Sequence, residues 1–231
     1  MNDNKTSQAA IHYDENVHKT IPRYHTFHAE VLDLVRVLAP SPRSWLDTGC
    51  GTGTLIARAA ESFTNTRFLA ADPSEAMLEL AREKLAALPV DYNQCGSENL
   101  AYTDCFDVVT AVMAHHYLSP AQRAQATRKC CEGLRAGGLY ITFETIRPLS
   151  ERGVQVGLQR WRAHQLNSGK APAEVEKHIS RYGSELLPIT IAEHLALLEG
   201  SGFSAAELFW ASGLQAGFYA VKRPTPPSGT Y

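Results

Sequence analysis

Residues 44–53, Ser-Trp-Leu-Asp-Thr-Gly-Cys-Gly-Thr-Gly, decide the fold of this chain. An apolar strand end runs into an acid, Asp47, and then into Gly49, Gly51 and Gly53 at alternate positions. Thr54-Leu-Ile-Ala-Arg-Ala-Ala60 follows at once as a helical pattern. Glycines at such a junction let the backbone turn sharply and let a ligand approach the main chain. The helix N-terminus beyond them offers unpaired N–H groups. The stretch reads as a nucleotide-binding strand–turn–helix, and the alternative is a plain glycine turn in an α/β protein.

Spacing and charge narrow the ligand. The dinucleotide fingerprint is G-x-G-x-x-G, with a pyrophosphate on the helix N-terminus. Here the third glycine comes one residue early. Asp47 would repel a pyrophosphate, which argues against a nicotinamide dehydrogenase. A ligand with a cationic amino group and no phosphate suits it better, and S-adenosyl-L-methionine is such a ligand. Downstream, Arg67-Phe-Leu-Ala-Ala-Asp72 reads as a short buried strand ending in an acid, 19 residues past Gly53. An acid there can accept both ribose hydroxyls of a nucleoside. Pro73-Ser-Glu-Ala-Met-Leu then opens a helix with Ser74 as N-cap and Met77, Leu78 and Ala81 on its apolar face.

Strand and helix patterns alternate along the chain. Residues 4–18 are polar with scattered aromatics and read as one helix or an arm, broken at Ile21-Pro22. A helix from Arg23 to Leu38 ends at Pro40 and Pro42. Strands are expected at 89–94, 106–113 and 139–144, with a helix from Pro120 to Leu134 that stops at Arg135-Ala-Gly-Gly. Such alternation argues for a parallel sheet. Residues 150–183 read as two inserted helices capping the carboxyl ends of the strands. A core helix from Thr190 and two antiparallel edge strands, 203–210 and 214–222, complete the chain. The domain plan expected is an N-terminal helical lid (1–43), a cofactor-binding core (44–149), a helical cap (150–187), the end of the core sheet (188–223) and a disordered tail (224–231).

With 231 residues, a net charge of −2 and no basic stripe, DNA is excluded as a partner and tRNA is disfavoured. The five cysteines form no C-x-x-C pair and no Cys/His group has zinc spacing, so free thiols, a cytoplasmic location and no metal are expected. No apolar run reaches membrane-spanning length.

The run Asp47-x-Gly-x-Gly-x-Gly53 resembles the first motif of the class I S-adenosylmethionine-dependent methyltransferases. Asp72-Pro-Ser-Glu-Ala-Met-Leu, Phe106-Asp-Val-Val-Thr-Ala-Val-Met-Ala-His-His-Tyr-Leu118 and Leu134-Arg-Ala-Gly-Gly-Leu-Tyr-Ile141 are similar to later motifs of that family. The outer segments resemble a subgroup of small bacterial enzymes labelled after wobble-uridine tRNA methyltransferases or carboxy-S-adenosylmethionine synthase. The resemblance runs from about Ser44 to Lys222. It implies a Rossmann-like α/β fold: a seven-stranded, mostly parallel sheet with an antiparallel last strand, N-terminal helices and an inserted helical cap. One departure stands out. The family commonly has an acid after strand three that contacts the adenine amino group, and this chain has Gly96 there, in Cys95-Gly-Ser-Glu-Asn-Leu100.

These readings give a candidate site. For the cofactor we expect Tyr13, Asp47, Gly49, Cys50, Gly51, Thr52, Gly53, Asp72, Pro73, Met77, Gly96, Ser97, Glu98 and Met113. Adenine would be held by backbone groups, Ser97 or a displaced Glu98. His115 and His116, at the end of strand four, are the candidates for a general base, because imidazole is poised near neutral pH. The alternative is that one binds backbone and the other packs. Tyr24, His28, Tyr117, Arg147, Trp161 and Tyr182 are candidates for contacting a small-molecule acceptor. Glu144 and Arg147 have a surface ion pair as their alternative. The function expected is methyl transfer to N, O or S of that acceptor. A carboxy-S-adenosylmethionine synthase-like enzyme, with Arg181 or Arg162 as carboxylate clamp, and a non-catalytic cofactor-binding protein stay open. So does a homodimer through the apolar cap.

Overall fold

The computed structural model describes Thr6 and residues 9–224; the tail expected at 224–231 lies, apart from Pro224, outside the described residues. Seven strands form one sheet: β1 (Ser44–Thr48), β2 (Arg67–Ala71), β3 (Val90–Asn93), β4 (Phe106–Val112), β5 (Leu134–Thr145), β6 (Phe203–Ser212) and β7 (Gln215–Lys222). Their order is β3-β2-β1-β4-β5-β7-β6. The first five are parallel, and β7 runs antiparallel to both its neighbours. Eight helices accompany them among the described residues: α1 (Tyr13–Thr20), α2 (Tyr24–Leu38), α3 (Thr54–Ser62), α4 (Glu75–Lys84), α5 (Pro120–Gly133), α6 (Glu151–Asn167), α7 (Pro172–Ile179) and α8 (Ile191–Gly200).

Alternation along the strands splits the core into two layers. Trp45, Val108, Ile141 and Phe143 pack with Phe27, Val31 and Val35 of α2 and Leu55 and Ile56 of α3. Leu46, Val109 and Tyr140 point the other way, toward Cys130 of α5, Leu198 of α8 and Phe218. A sheet covered on both faces needs strands buried on both sides, and β1, β4 and the 138–145 part of β5 are buried along nearly every residue. Helix starts follow local chemistry. Ser119 with Gln122 and Thr190 with Glu193 form capping boxes at α5 and α8, and Ser74 caps α4 through Met77 N–H.

Two boundaries differ from expectation. The 214–222 strand is not an edge: β7 lies between β5 and β6, and only β6 is outermost. Ala216, Phe218 and Ala220 of β7 are buried, whereas Ser204, Ala205, Glu207 and Leu208 of β6 face solvent. Arg135-Ala-Gly-Gly is likewise not a stop before a new strand. Leu134 already pairs with Phe106, and a register shift then carries β5 through the glycines.

The two helices expected between 150 and 183 are α6 and α7. Gly157 lets α6 approach the β6–β7 turn: a Cβ there would sit 2.4 Å from Leu214 Cδ2. Trp161 does not shape an acceptor. It is buried, and its indole N–H donates to Thr20 O at 2.6 Å, fastening α6 to the end of α1. Its side chain is large and apolar, with one donor that has to find a partner when buried. Trp161→Phe keeps an aromatic ring but removes the buried N–H donor and part of the packed volume. We expect a loss of about 1–3 kcal/mol in unfolding free energy by denaturant titration, with S-adenosylhomocysteine affinity within a factor of about two of wild type.

Candidate active site

The strand order reverses between β1 and β4, so their carboxyl ends open a crevice where ligands of such sheets bind. Asp47 and Thr110 face each other across this gap. The Thr110 hydroxyl donates to Asp47 Oδ1 at 2.7 Å and itself accepts from the indole N–H of Trp45 at 2.9 Å. Asp47 is 2% exposed. Burial raises its pKa to about 7; the Thr110 hydrogen bond opposes this and the nearby Asp72 charge adds to it. Thr110 carried no signal beyond being a hydroxyl inside an apolar strand, and sequence reasoning missed it.

The glycine loop follows. Gly49, Gly51 and Gly53 all have φ between +53° and +75°, a conformation that L side chains resist. At Gly49 space is also lacking, since a Cβ would come within 2.5 Å of Ala114 Cβ. Gly53 differs from expectation: it lines no cavity. It precedes α3, and a Cβ there would meet Leu85 Cδ1 at 2.7 Å, so it serves helix packing. Asp72 pins the loop. Its Oδ2 accepts from Gly51 N–H and its Oδ1 from Ser74 N–H, both at 2.9 Å.

A cavity of about 290 Å³ opens against this loop, bounded by Gly49, Gly51, Asp72, Pro73, Ser74 and Met77 on one side and by Val112, Met113, Ala114, Tyr117 and Leu118 on the other. Gly96, Ser97 and Glu98 close one end, and Thr6 and Tyr13 cover it. A smaller recess continues from the loop, lined by Tyr13, Tyr24, His28, Asp47, Cys50 and Thr52 among others. The expected cofactor residues therefore converge, with Tyr24 and His28 on the recess beside Asp47 rather than on a separate acceptor surface. Thr6, Ala114 and Leu118 were missed, because small and apolar wall residues leave no motif.

At the far end, Gly96 makes room for Glu98. A Cβ at position 96 would lie 2.6 Å from Glu98 Oε2 and 3.0 Å from Oε1, so the carboxylate folds back over the glycine into space that a side chain there would fill. Ser97 is buried, and its hydroxyl pairs with that of Thr48 at 2.7 Å.

The cavity is roofed by α1. Asp14 accepts from Thr52 Oγ1 at 2.7 Å and Lys84 Nζ at 2.6 Å, and Lys84 also donates to Thr52 and Thr54. This cluster ties α1 to the loop and to α4, and holds the adjacent Tyr13 over both spaces. Burial is the main cause that raises the phenol pKa of Tyr13, and those of Tyr24 and Tyr117 to about 12. All three stay protonated. Burial, with Arg58 and Lys84 nearby, lowers His28 to about 4.

Several acceptor-side expectations need correction. His115 and His116 are buried and line neither space; imidazole followed by an apolar wall residue was an ambiguous signal. His116 Nδ1 lies 2.7 Å from Glu144 Oε2, and His115 Nδ1 lies 3.3 Å from the Tyr140 hydroxyl, in the layer under the sheet. Burial lowers the His115 pKa. Glu144 is no surface residue: it is 1% exposed and accepts the backbone N–H groups of both histidines. Arg147 reaches Glu193 at 3.8 Å on the surface, and Tyr182 donates its hydroxyl to Ile146 O, so neither reaches the cavity. Tyr117 does line it.

The Asp47 environment has a pH consequence. Its folded pKa lies above the unfolded value near 3.9, so its ionisation destabilises the unliganded fold progressively from about pH 4 to 7. A ligand ammonium beside it would favour the ionised form. S-adenosylhomocysteine should bind roughly tenfold more weakly at pH 6 than at pH 8 by calorimetry. Asp47→Asn should flatten that dependence, bind weakly throughout, and raise unliganded stability at pH 8.

Comparison with known proteins fits this geometry. A family model described as "Methyltransferase domain" matches residues 46–138. A carboxy-S-adenosyl-L-methionine synthase of Helicobacter hepaticus is 26% identical over 210 residues, covering 88% of each chain. One of Trichodesmium erythraeum is 28% identical, covering 84% of this chain and 79% of its own. In fold, the chain superposes on a SAM-dependent methyltransferase of Thermotoga maritima with a TM-score of 0.64 at 16% identity, covering 95% and 98%. Residues 46–138 thus match a methyltransferase domain, and the glycine loop, the acid at the end of β2 and the crevice support the fold of a class I S-adenosylmethionine-dependent methyltransferase.

Proposed function

We propose that the protein transfers the sulfonium methyl of S-adenosylmethionine to a nitrogen, oxygen or sulfur atom of a small-molecule acceptor. One observation carries this reading. The two connected spaces are lined by Asp47, Asp72 and Glu98 and, among the described residues, by no Lys or Arg. Such a lining suits a cofactor with an ammonium, a sulfonium and no phosphate. It gives nothing to hold a second carboxylate on the transferred carbon.

The residue roles follow from placement. Asp47 takes the amino group, Asp72 the ribose hydroxyls, and Glu98 accepts from the adenine amino group in place of the missing acid at position 96. The three tyrosines, held protonated, can donate hydrogen bonds but not remove protons. With His115 and His116 turned away and His28 set beside Asp47, the transfer rests chiefly on proximity and orientation. That suits an acceptor already nucleophilic at neutral pH, such as an unprotonated amine or a thiolate. Five free cysteines fit a reducing, cytoplasmic setting.

The alternative, carboxy-S-adenosylmethionine synthesis, is favoured by the names of the relatives and by Arg181. That guanidinium lies 5.8 Å above the Tyr117 ring, behind the cavity wall. Incubating purified protein with S-adenosylmethionine and a desalted small-molecule extract separates the two by mass spectrometry. S-adenosylhomocysteine with a methylated product supports methyl transfer. Accumulation of carboxy-S-adenosylmethionine overturns it, and no consumption of cofactor with intact binding points to a non-catalytic protein.

Glu98→Ala should weaken S-adenosylhomocysteine binding by about three- to tenfold, the loss of one hydrogen bond to a charged group. Gly96→Asp alone should not help, because its side chain meets the Glu98 carboxylate. Combined with Glu98→Ala it should restore affinity, measured by calorimetry. Equal binding by all four proteins would remove Glu98 from the adenine site.

A further inference from the structure

The wall opposite the glycine loop is one turn, residues 113–118, and its backbone is gripped from both sides by buried charges. Met113 enters it with φ +57°, its N–H donating to Phe143 O. Glu144 takes the N–H side. Its Oε1 accepts from His115 N at 3.1 Å and Thr142 Oγ1 at 2.8 Å, and its Oε2 accepts from His116 N at 2.9 Å and pairs with the His116 ring. Arg123 takes the carbonyl side. Its Nε donates to His115 O at 3.1 Å, and its Nη2 to Leu118 O at 3.2 Å and to Leu187 O. Leu187 N–H in turn donates to His116 O at 2.7 Å.

These two side chains are 1% and 3% exposed; backbone carbonyls hold Arg123, and backbone N–H groups, the Thr142 hydroxyl and the His116 ring hold Glu144, with no direct ion pair found between the two. Burying a charge is costly even when it is hydrogen-bonded. An apolar pair would close the layer at less cost. The charges do what apolar groups cannot: they fix four backbone groups of one turn and one carbonyl of a distant segment at the same time. Tyr117, carried by that turn, lines the cofactor cavity and also a separate recess of about 270 Å³ shared with Arg181, Ser184 and Leu187.

We propose that Glu144 and Arg123 are positioning residues: they clamp the 115–118 turn and the Leu187 segment together, so that Tyr117 forms the partition between the cofactor cavity and an acceptor recess. This rests on the methyltransferase reading. The clamp makes the partition rigid, and a reaction that depends on orientation needs such rigidity in the wall nearest the transferred group.

The test uses the full chain with fluorotyrosine at position 117, followed by fluorine NMR, calorimetry with S-adenosylhomocysteine and thermal unfolding. Wild type and the surface control Glu61→Gln should give one sharp resonance that shifts on ligand addition. Glu144→Gln and Arg123→Lys should unfold cooperatively, give a broadened or doubled resonance, and bind the ligand roughly tenfold more weakly. Thr142→Val, which removes one of the donors to Glu144, should lie between. If the two clamp variants lose stability yet keep the wild-type resonance and affinity, the charges serve stability alone and the proposal is wrong. If they do not fold, Thr142→Val decides: an unaltered resonance overturns the clamp and a broadened one supports it. Failure of wild type to bind the ligand would overturn the methyltransferase reading instead, while the line shapes would still decide the clamp.

Discussion

The structure turns on a carboxylate placed where water cannot reach it. Asp47 lies at the carboxyl end of β1, at the point where strand order reverses, and its partner is a threonine hydroxyl that itself accepts from an indole N–H. A buried acid with one strong donor is poorly stabilised as an anion. The site is therefore incomplete without a cation, and the fold carries the cost of that until one arrives. The three left-handed glycines bring the main chain around this acid, and Asp72 holds the loop by the Gly51 N–H. Selectivity for a cationic adenosyl ligand over a dinucleotide follows from charge before any shape is considered.

Closure is built from a second polar arrangement. Asp14, Lys84, Thr52 and Thr54 join α1, the glycine loop and α4 through short hydrogen bonds, part of them open to solvent. Partly exposed ion pairs contribute little to stability. This cluster therefore orients α1 over the glycine loop more than it fastens a core. Behind it, Trp161 and Thr20 join the same N-terminal helix to α6 by a buried contact. The helix is thus firmly held at its far end and lightly held over the ligand.

What could be read from the sequence was what backbone chemistry dictates. Glycine spacing after an apolar strand, an acid at the next strand end, and Ser/Thr caps each have one dominant structural meaning. The sheet and the cofactor pocket were legible for that reason. The placement of β7 was not, because both strands of the hairpin mix aromatic, small and polar residues and neither shows which one goes outside. Side-chain direction was not legible either. His115 and His116 sit on a single turn whose orientation is set by Glu144 and Arg123, residues distant in sequence. Arg147 and Tyr182 find partners elsewhere, Glu193 and the Ile146 carbonyl.

The misread histidines bear on chemistry. Two adjacent imidazoles at the end of strand four invite a general-base mechanism, yet the carboxylate that would orient such a base here spends its lone pairs on backbone N–H groups as well. Burial alone would raise the Glu144 pKa, but the His116 hydrogen bond and the nearby imidazoles hold it at about 2, so it stays an anchor across the physiological range. The groups that do face the ligand are carboxylates, which favour cations, phenols too weakly acidic to give or take a proton at neutral pH, and one neutral imidazole, His28, on the recess beside Asp47. On the proposed methyl-transfer reading, a site so composed gains its rate mainly by fixing distances and excluding water. The acceptor must then arrive with its lone pair available, and the walls that hold it matter more than any single titrating side chain.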